Sequence, residues 1–154
     1  MSARTILMFL VMVLVGASLR AADDPLMGTW KINVAKSKFD PGPAQTKNIR
    51  KHEPLPNGVK VISDVDVQGE RQHFEFTATF DGKYYPIVGS KQRDEVSFKR
   101  IDAYTIESIN RKKGKVTTIG RWMVSKDGKT LTSTIKGTFP DGQHVDNIHF
   151  YEKQ

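Results

Sequence analysis

Cysteine is absent from all 154 residues, so no disulfide braces the chain and no thiol serves as nucleophile, metal ligand or lipid attachment point. No Asn-x-Ser/Thr acceptor occurs either. In a chain that starts with an export signal, both absences point to a bacterial periplasm or to bacterial secretion rather than to an animal extracellular space. Long hydrophobic runs are missing as well. The longest, Ile6 to Val15, falls short of the about 20 residues that span a bilayer. Gly-x-Ser-x-Gly, His-x-x-x-His, glycine-rich phosphate loops and dinucleotide fingerprints are all lacking, which leaves hydrolase, zinc-protease and nucleotide chemistry without their usual parts.

What stands at the N-terminus is a basic residue, Arg4, then the apolar run, then Gly16-Ala17-Ser18 and Ala21-Ala22 ahead of Asp23-Asp24. That order of basic, apolar and small residues is the pattern of a secretory signal peptide, expected to cover residues 1–22. The remaining 23–154 suits one domain with a real core. No membrane anchor is expected after cleavage. Loss of Arg4 and Arg20 lowers the net charge from +7 to +5, with 22 basic against 17 acidic residues. This is enough for solubility but is not the footprint of a nucleic-acid binder. The clusters Arg50-Lys51 and Arg111-Lys112-Lys113 read as solvated hairpin ends, so no nucleic-acid partner is expected.

Glycine-centred turns punctuate the rest: Pro56-Asn57-Gly58, Gln68-Gly69-Glu70, Asp81-Gly82-Lys83, Lys113-Gly114-Lys115, Asp127-Gly128-Lys129 and Asp141-Gly142-Gln143. Tight hairpins need positive φ, which Gly adopts freely and Asn or Asp tolerate. The segments between predict ten strands, at about 27–34, 46–53, 59–67, 72–80, 84–88, 95–101, 104–110, 116–125, 130–138 and 145–153. In one of them Phe74, Phe76, Ala78 and Phe80 alternate with polar residues; in the strand before it Val59, Val61, Val65 and Val67 do the same. One face is therefore apolar and the other wet. So many strands in an open sheet would leave two exposed edges, and closure removes them. The expected fold is all-β, a single antiparallel up-and-down barrel of about ten strands without a helical lid. Between the first two strands, 35–45 carries Pro41, Gly42 and Pro43, which exclude a long helix. It is either a plain connector or a cover over one barrel end.

The first strand opens Leu26-Met27-Gly28-Thr29-Trp30-Lys31-Ile32 and the last closes His149-Phe150-Tyr151-Glu152-Lys153. This bracket resembles the calycin superfamily: Gly-x-Trp is similar to the lipocalin signature, and Gly-Thr-Trp-Lys with Tyr-Glu-Lys, together with Thr117-Thr118-Ile119-x-Arg121, to the intracellular fatty-acid-binding proteins. The stretches 35–43 and 125–132 also resemble small exported bacterial proteins described as lipocalin-like. The resemblance implies a structural role for Gly28 and Trp30, and a carboxylate held by Arg121 and Tyr151, with His149 standing where the relatives have a second arginine. His149 would add charge there only at mildly acidic pH.

Alternation does not say which way Arg121 points, because both faces of its strand are apolar. Phe74 and Phe76 supply the expected apolar contacts. The pairs Asp64/Asp66 and His144/Asp146 read as solvated strand faces, so no metal, no cofactor and no catalytic residue is expected. The functional expectation is a monomeric, exported, non-enzymatic protein that binds a small hydrophobic or carboxylate-bearing ligand. The alternative is a filled barrel that meets a partner in the envelope, with Ile148, Phe150 or Trp122 forming an exposed patch.

Overall fold

The computed structural model describes residues 24–154; the expected signal peptide lies outside the described residues. Ten antiparallel strands close into a barrel: β1 (Gly28–Ile32), β2 (Lys47–Leu55), β3 (Gly58–Val67), β4 (Glu70–Thr79), β5 (Asp81–Val88), β6 (Glu95–Arg100), β7 (Thr105–Lys112), β8 (Lys115–Val124), β9 (Thr130–Thr138) and β10 (His144–Lys153). Each strand pairs with its neighbours in sequence, and β1 pairs with β10 through Trp30 opposite Lys153 and Ile32 opposite Tyr151. Every expected strand is present. No α-helix occurs among the described residues, only a single 3-10 turn at Val34–Lys36 capped by Asn33.

One hairpin differs from expectation. Asp81-Gly82-Lys83 is not a free turn but the first part of β5, where Asp81 already faces Lys99 and the register then shifts before Tyr84. Gly82 has φ 78° and the Asp81 carboxylate accepts the Lys83 amide. A bulge of this kind absorbs the extra residue by left-handed backbone that Gly adopts without strain.

The interior follows the alternation. Val59, Val61, Ser63 and Val65 of β3 point inward, and Phe74, Phe76 and Ala78 of β4 meet them. At one end Trp30 is fully buried and donates its indole N–H to Leu26 O at 3.0 Å. Gly28 has φ 123°, and a Cβ there would lie 2.7 Å from Lys153 Cε, so both backbone and space favour glycine. An aromatic floor runs from Trp30 through His52 to Trp122, which stacks on His52 at 5.0 Å, and on to Phe98 and Phe76. Outside it the Asp24–Arg100 ion pair ties the chain's entry to β6.

At the other end, residues 38–43 run along β10 and the hairpin before it at the mouth of the barrel. Lys38 bridges to Ile148, Asp40 exchanges hydrogen bonds with Asn147 and Asp146, and Gln143 Nε2 donates to Gly42 O at 2.7 Å. Prolines 41 and 43 lack the N–H that a ladder would need, so the segment is a strap rather than an eleventh strand.

Candidate ligand-binding site

Beneath that strap lies a cavity of about 270 Å³, partly open to solvent. Its rim is mixed, with Phe39, Pro41 and Pro43 from the strap, Val67 from β3, and Phe139 and Val145 from the last hairpin beside the polar Asp40, Glu70, Gln92 and Gln143. Its depth is polar, with Asn48 and Arg50 from β2, Arg93 from the turn before β6, Thr118 from β8 and His149 from β10. Between the arginines and the aromatic floor a void of about 10 Å³ remains, the size of one water molecule.

Inward-facing residues of β2 are Asn48, Arg50 and His52, so this strand buries a polar face while its outer face carries Lys47, Ile49, Lys51 and Glu53. Asn48 is fully committed: its amide donates to Tyr151 Oη at 3.0 Å and to Gln45 Oε1 at 2.8 Å, and its carbonyl accepts from Ser63. A second amide pairing lies across the cavity. Arg93 Nη1 donates to Asn110 Oδ1 at 3.2 Å, and Asn110 Nδ2 donates to Thr118 Oγ1 at 3.0 Å. The Arg93 guanidinium also lies 4.6 Å over the Phe74 ring.

Arg50 is placed differently. It is 3 % exposed, and its guanidinium lies over the rings of Trp122 and Tyr151 at 5.2 and 5.0 Å. Its Nε and Nη1 are buried with no hydrogen-bond partner among the described residues. No carboxylate is buried with it: the acids that reach the cavity, Asp40 and Glu70, sit at the rim in ion pairs with Lys38 and Lys91. Buried Arg50 and half-buried Arg93 therefore bring two guanidinium groups to the cavity with no buried carboxylate beside them. Desolvation, then the charge of Arg50, lowers the Arg93 pKa to about 10.

His149 shares this field. It is 2 % exposed, packs edge-on to Tyr151 at 6.3 Å and against Phe39 at 5.3 Å, and neither ring nitrogen has a partner among the described residues. Burial, with Arg50 and Arg93 adding, lowers its pKa to about 3. It is thus neutral at mildly acidic pH, contrary to the expected gain of charge there. Burial also pushes the Tyr151 phenol up, so it stays a protonated donor.

The structure brings together Tyr151, His149 and Phe74 of the expected ligand contacts. Phe76 instead belongs to the floor, edge-on to Phe98 at 5.4 Å. Arg121 does not take part. Its side chain is 49 % exposed on the outer wall and pairs with Glu107 at 2.6 Å, so it cannot hold a ligand inside the barrel. The physical reason is that Trp122 and Val124 fill the inner face of β8, leaving Ile119, Arg121 and Met123 outside. Trp122 being internal also removes it from any surface patch. Asp64 faces outward and bonds His73 at 2.7 Å, and His144 bonds Thr138.

Sequence reasoning missed Arg50, Arg93, Asn48 and Asn110. Arg50 sits in sequence beside Lys51, and both faces of β2 carry polar residues, so period-two alternation does not reveal that Arg50 points inward. Comparison of the sequence with protein-family models and with curated proteins found no match in either.

Proposed function

We propose that this barrel is an exported, non-enzymatic binding protein of calycin type, and that its ligand is a compact amphipathic anion held by Arg50 and Arg93. One observation carries the reading: Arg50 is buried with two N–H groups unpartnered and no acid beside it. An unpaired buried charge costs several kcal/mol, and a carboxylate from outside offsets it with the forked, charge-assisted bonds that guanidinium favours. The two guanidinium groups draw the anionic head of such a ligand inward, and the apolar groups at the mouth can cover its tail. A volume of about 270 Å³ lies just under the range of about 300 to 1,000 Å³ that encloses drug-sized ligands, so a long apolar tail would emerge past the strap. The same volume counts against the filled-barrel alternative. The residues 1–22 pattern and the bracketing motifs support export and the calycin assignment.

Titration calorimetry with decanoate, alongside displacement of a fluorescent fatty-acid probe, tests the binding. Binding to the native protein is expected to weaken about 10-fold or more in Arg50→Met, since a hydrogen bond to a charged group contributes about 1.5–3 kcal/mol. Failure of any alkanoate to bind, or equal affinity in Arg50→Met, overturns the reading.

A further inference from the structure

We propose that the ligand of this cavity carries a hydroxyl group beside its carboxylate, and that His149 is the residue that reads the hydroxyl. The inference rests on the anion-binding reading above and adds the ligand's second functional group.

The argument is one of donors and acceptors. Asn48 bonds Tyr151, Gln45 and Ser63, and Asn110 accepts from Arg93 and donates to Thr118, so both amides are engaged within the protein. Arg50 offers only donors, and its two buried, unpartnered nitrogens are matched by the two oxygens of a carboxylate. His149 lines the cavity with both ring nitrogens buried and unpartnered among the described residues, on a ring that is 2 % exposed. Its imidazole is neutral, so one nitrogen carries a proton and the other a lone pair. A carboxylate can accept from the N–H but has nothing to donate to the lone pair. A hydroxyl on the ligand completes the set, and Phe39 and Tyr151 fix the ring against rotating away.

Sites built to hydrogen-bond a hydroxyl discriminate strongly against analogues that lack it, because their own buried groups are then left unpaired. Hydroxylated carboxylates are therefore the expected class, and a plain alkanoate is the weak ligand of the series.

The experiment is calorimetric titration of the full mature protein with decanoate, 2-hydroxydecanoate and 3-hydroxydecanoate. At least one hydroxy acid should bind about 10-fold or more tightly than decanoate. His149→Phe should bring the ratio of the hydroxy-acid affinity to the decanoate affinity to about 1, whatever its effect on decanoate itself, and His149→Gln, which keeps an acceptor and a donor, should retain part of the preference. Equal or weaker binding of both hydroxy acids by the native protein overturns the inference but leaves the anion-binding reading standing, and so does a preference that survives in His149→Phe. No binding by any of the three overturns both. The native comparison decides even if a variant fails to fold.

Discussion

His52 belongs to the floor of the barrel and His149 to the cavity above it, and they share burial and a pKa lowered to about 3. What separates them is their partners. His52 donates from Nδ1 to Leu26 O at 2.9 Å and stacks on Trp122, so its ring is held by the same carbonyl that accepts from Trp30. His149 has aromatic neighbours but no hydrogen bond. The same division holds for charge. Arg100, near the floor, is paired with Asp24, whereas Arg50 faces the cavity without an acid. His52 Nε2, Arg111 Nε and Ser133 Oγ are also buried without a partner among the described residues, but Arg50 and His149 each leave two nitrogens unpartnered and both line the cavity, and that concentration is what points to a binding site.

Acid should act on both histidines at once and gives the largest expected effect. In the folded protein each stays neutral down to about pH 3, chiefly through desolvation, with Arg50 and Lys153 adding at His52 and Arg50 and Arg93 at His149. In the unfolded chain each takes up a proton near 6.5. The unfolded state therefore binds more protons between those values, so stability is full above pH 6.5 and falls as pH drops towards 3. Urea unfolding near pH 7 and at about pH 4.5 should show a loss on the order of 5 kcal/mol for the two rings together. His52→Phe and His149→Phe should each remove about half of that pH dependence, and a dependence unchanged in either variant would assign the acid sensitivity elsewhere.

Trp30→Ala tests the floor alone. Its side chain is fully buried and carries an indole hydrogen bond, so truncation should cost about 3–5 kcal/mol in denaturant unfolding. Affinity for decanoate, measured where the variant remains folded, should change little, because Trp30 does not line the cavity. A large loss of affinity would show that floor and cavity are one unit.

The floor was legible in the sequence and the cavity largely was not. Gly28, Trp30 and the glycine turns act through local backbone and size, which residue type alone reveals. Strand periods in β3 and β4 were clear because one face there is purely apolar. In β2 the inner positions Asn48, Arg50 and His52 oppose Ile49, Lys51 and Glu53, so hydrophobic alternation carries no sign of which side is in. In β8 Ile119 and Met123 outside balance Trp122 and Val124 inside. Arg93 lies outside any strand, and only closure of the barrel brings it to Arg50.

Arg50→Met reverses the usual sense of a core mutation. Replacing a buried, uncompensated guanidinium by an apolar side chain of similar length should stabilise the ligand-free protein by about 1–3 kcal/mol while weakening anion binding. The midpoint of urea unfolding checks the first half. A destabilised variant would mean that stacking of Arg50 on Trp122 and Tyr151 outweighs its desolvation, and the case for a site built around an external anion would weaken with it.

The smallest effect is expected at Arg121, and it separates the cavity in this chain from the one its motifs resemble. Arg121 pairs with Glu107 on the outer wall, and exposed pairs of this kind contribute about 0.2–1 kcal/mol. Arg121→Ala should therefore leave stability within about 1 kcal/mol and decanoate affinity unchanged, where Arg50→Met loses it. The two arginines sit on strands whose inner faces the sequence leaves ambiguous, so the pair of variants measures which face of β2 and of β8 points inward. Loss of binding in Arg121→Ala with retention in Arg50→Met would move the anion from the interior to the outer wall.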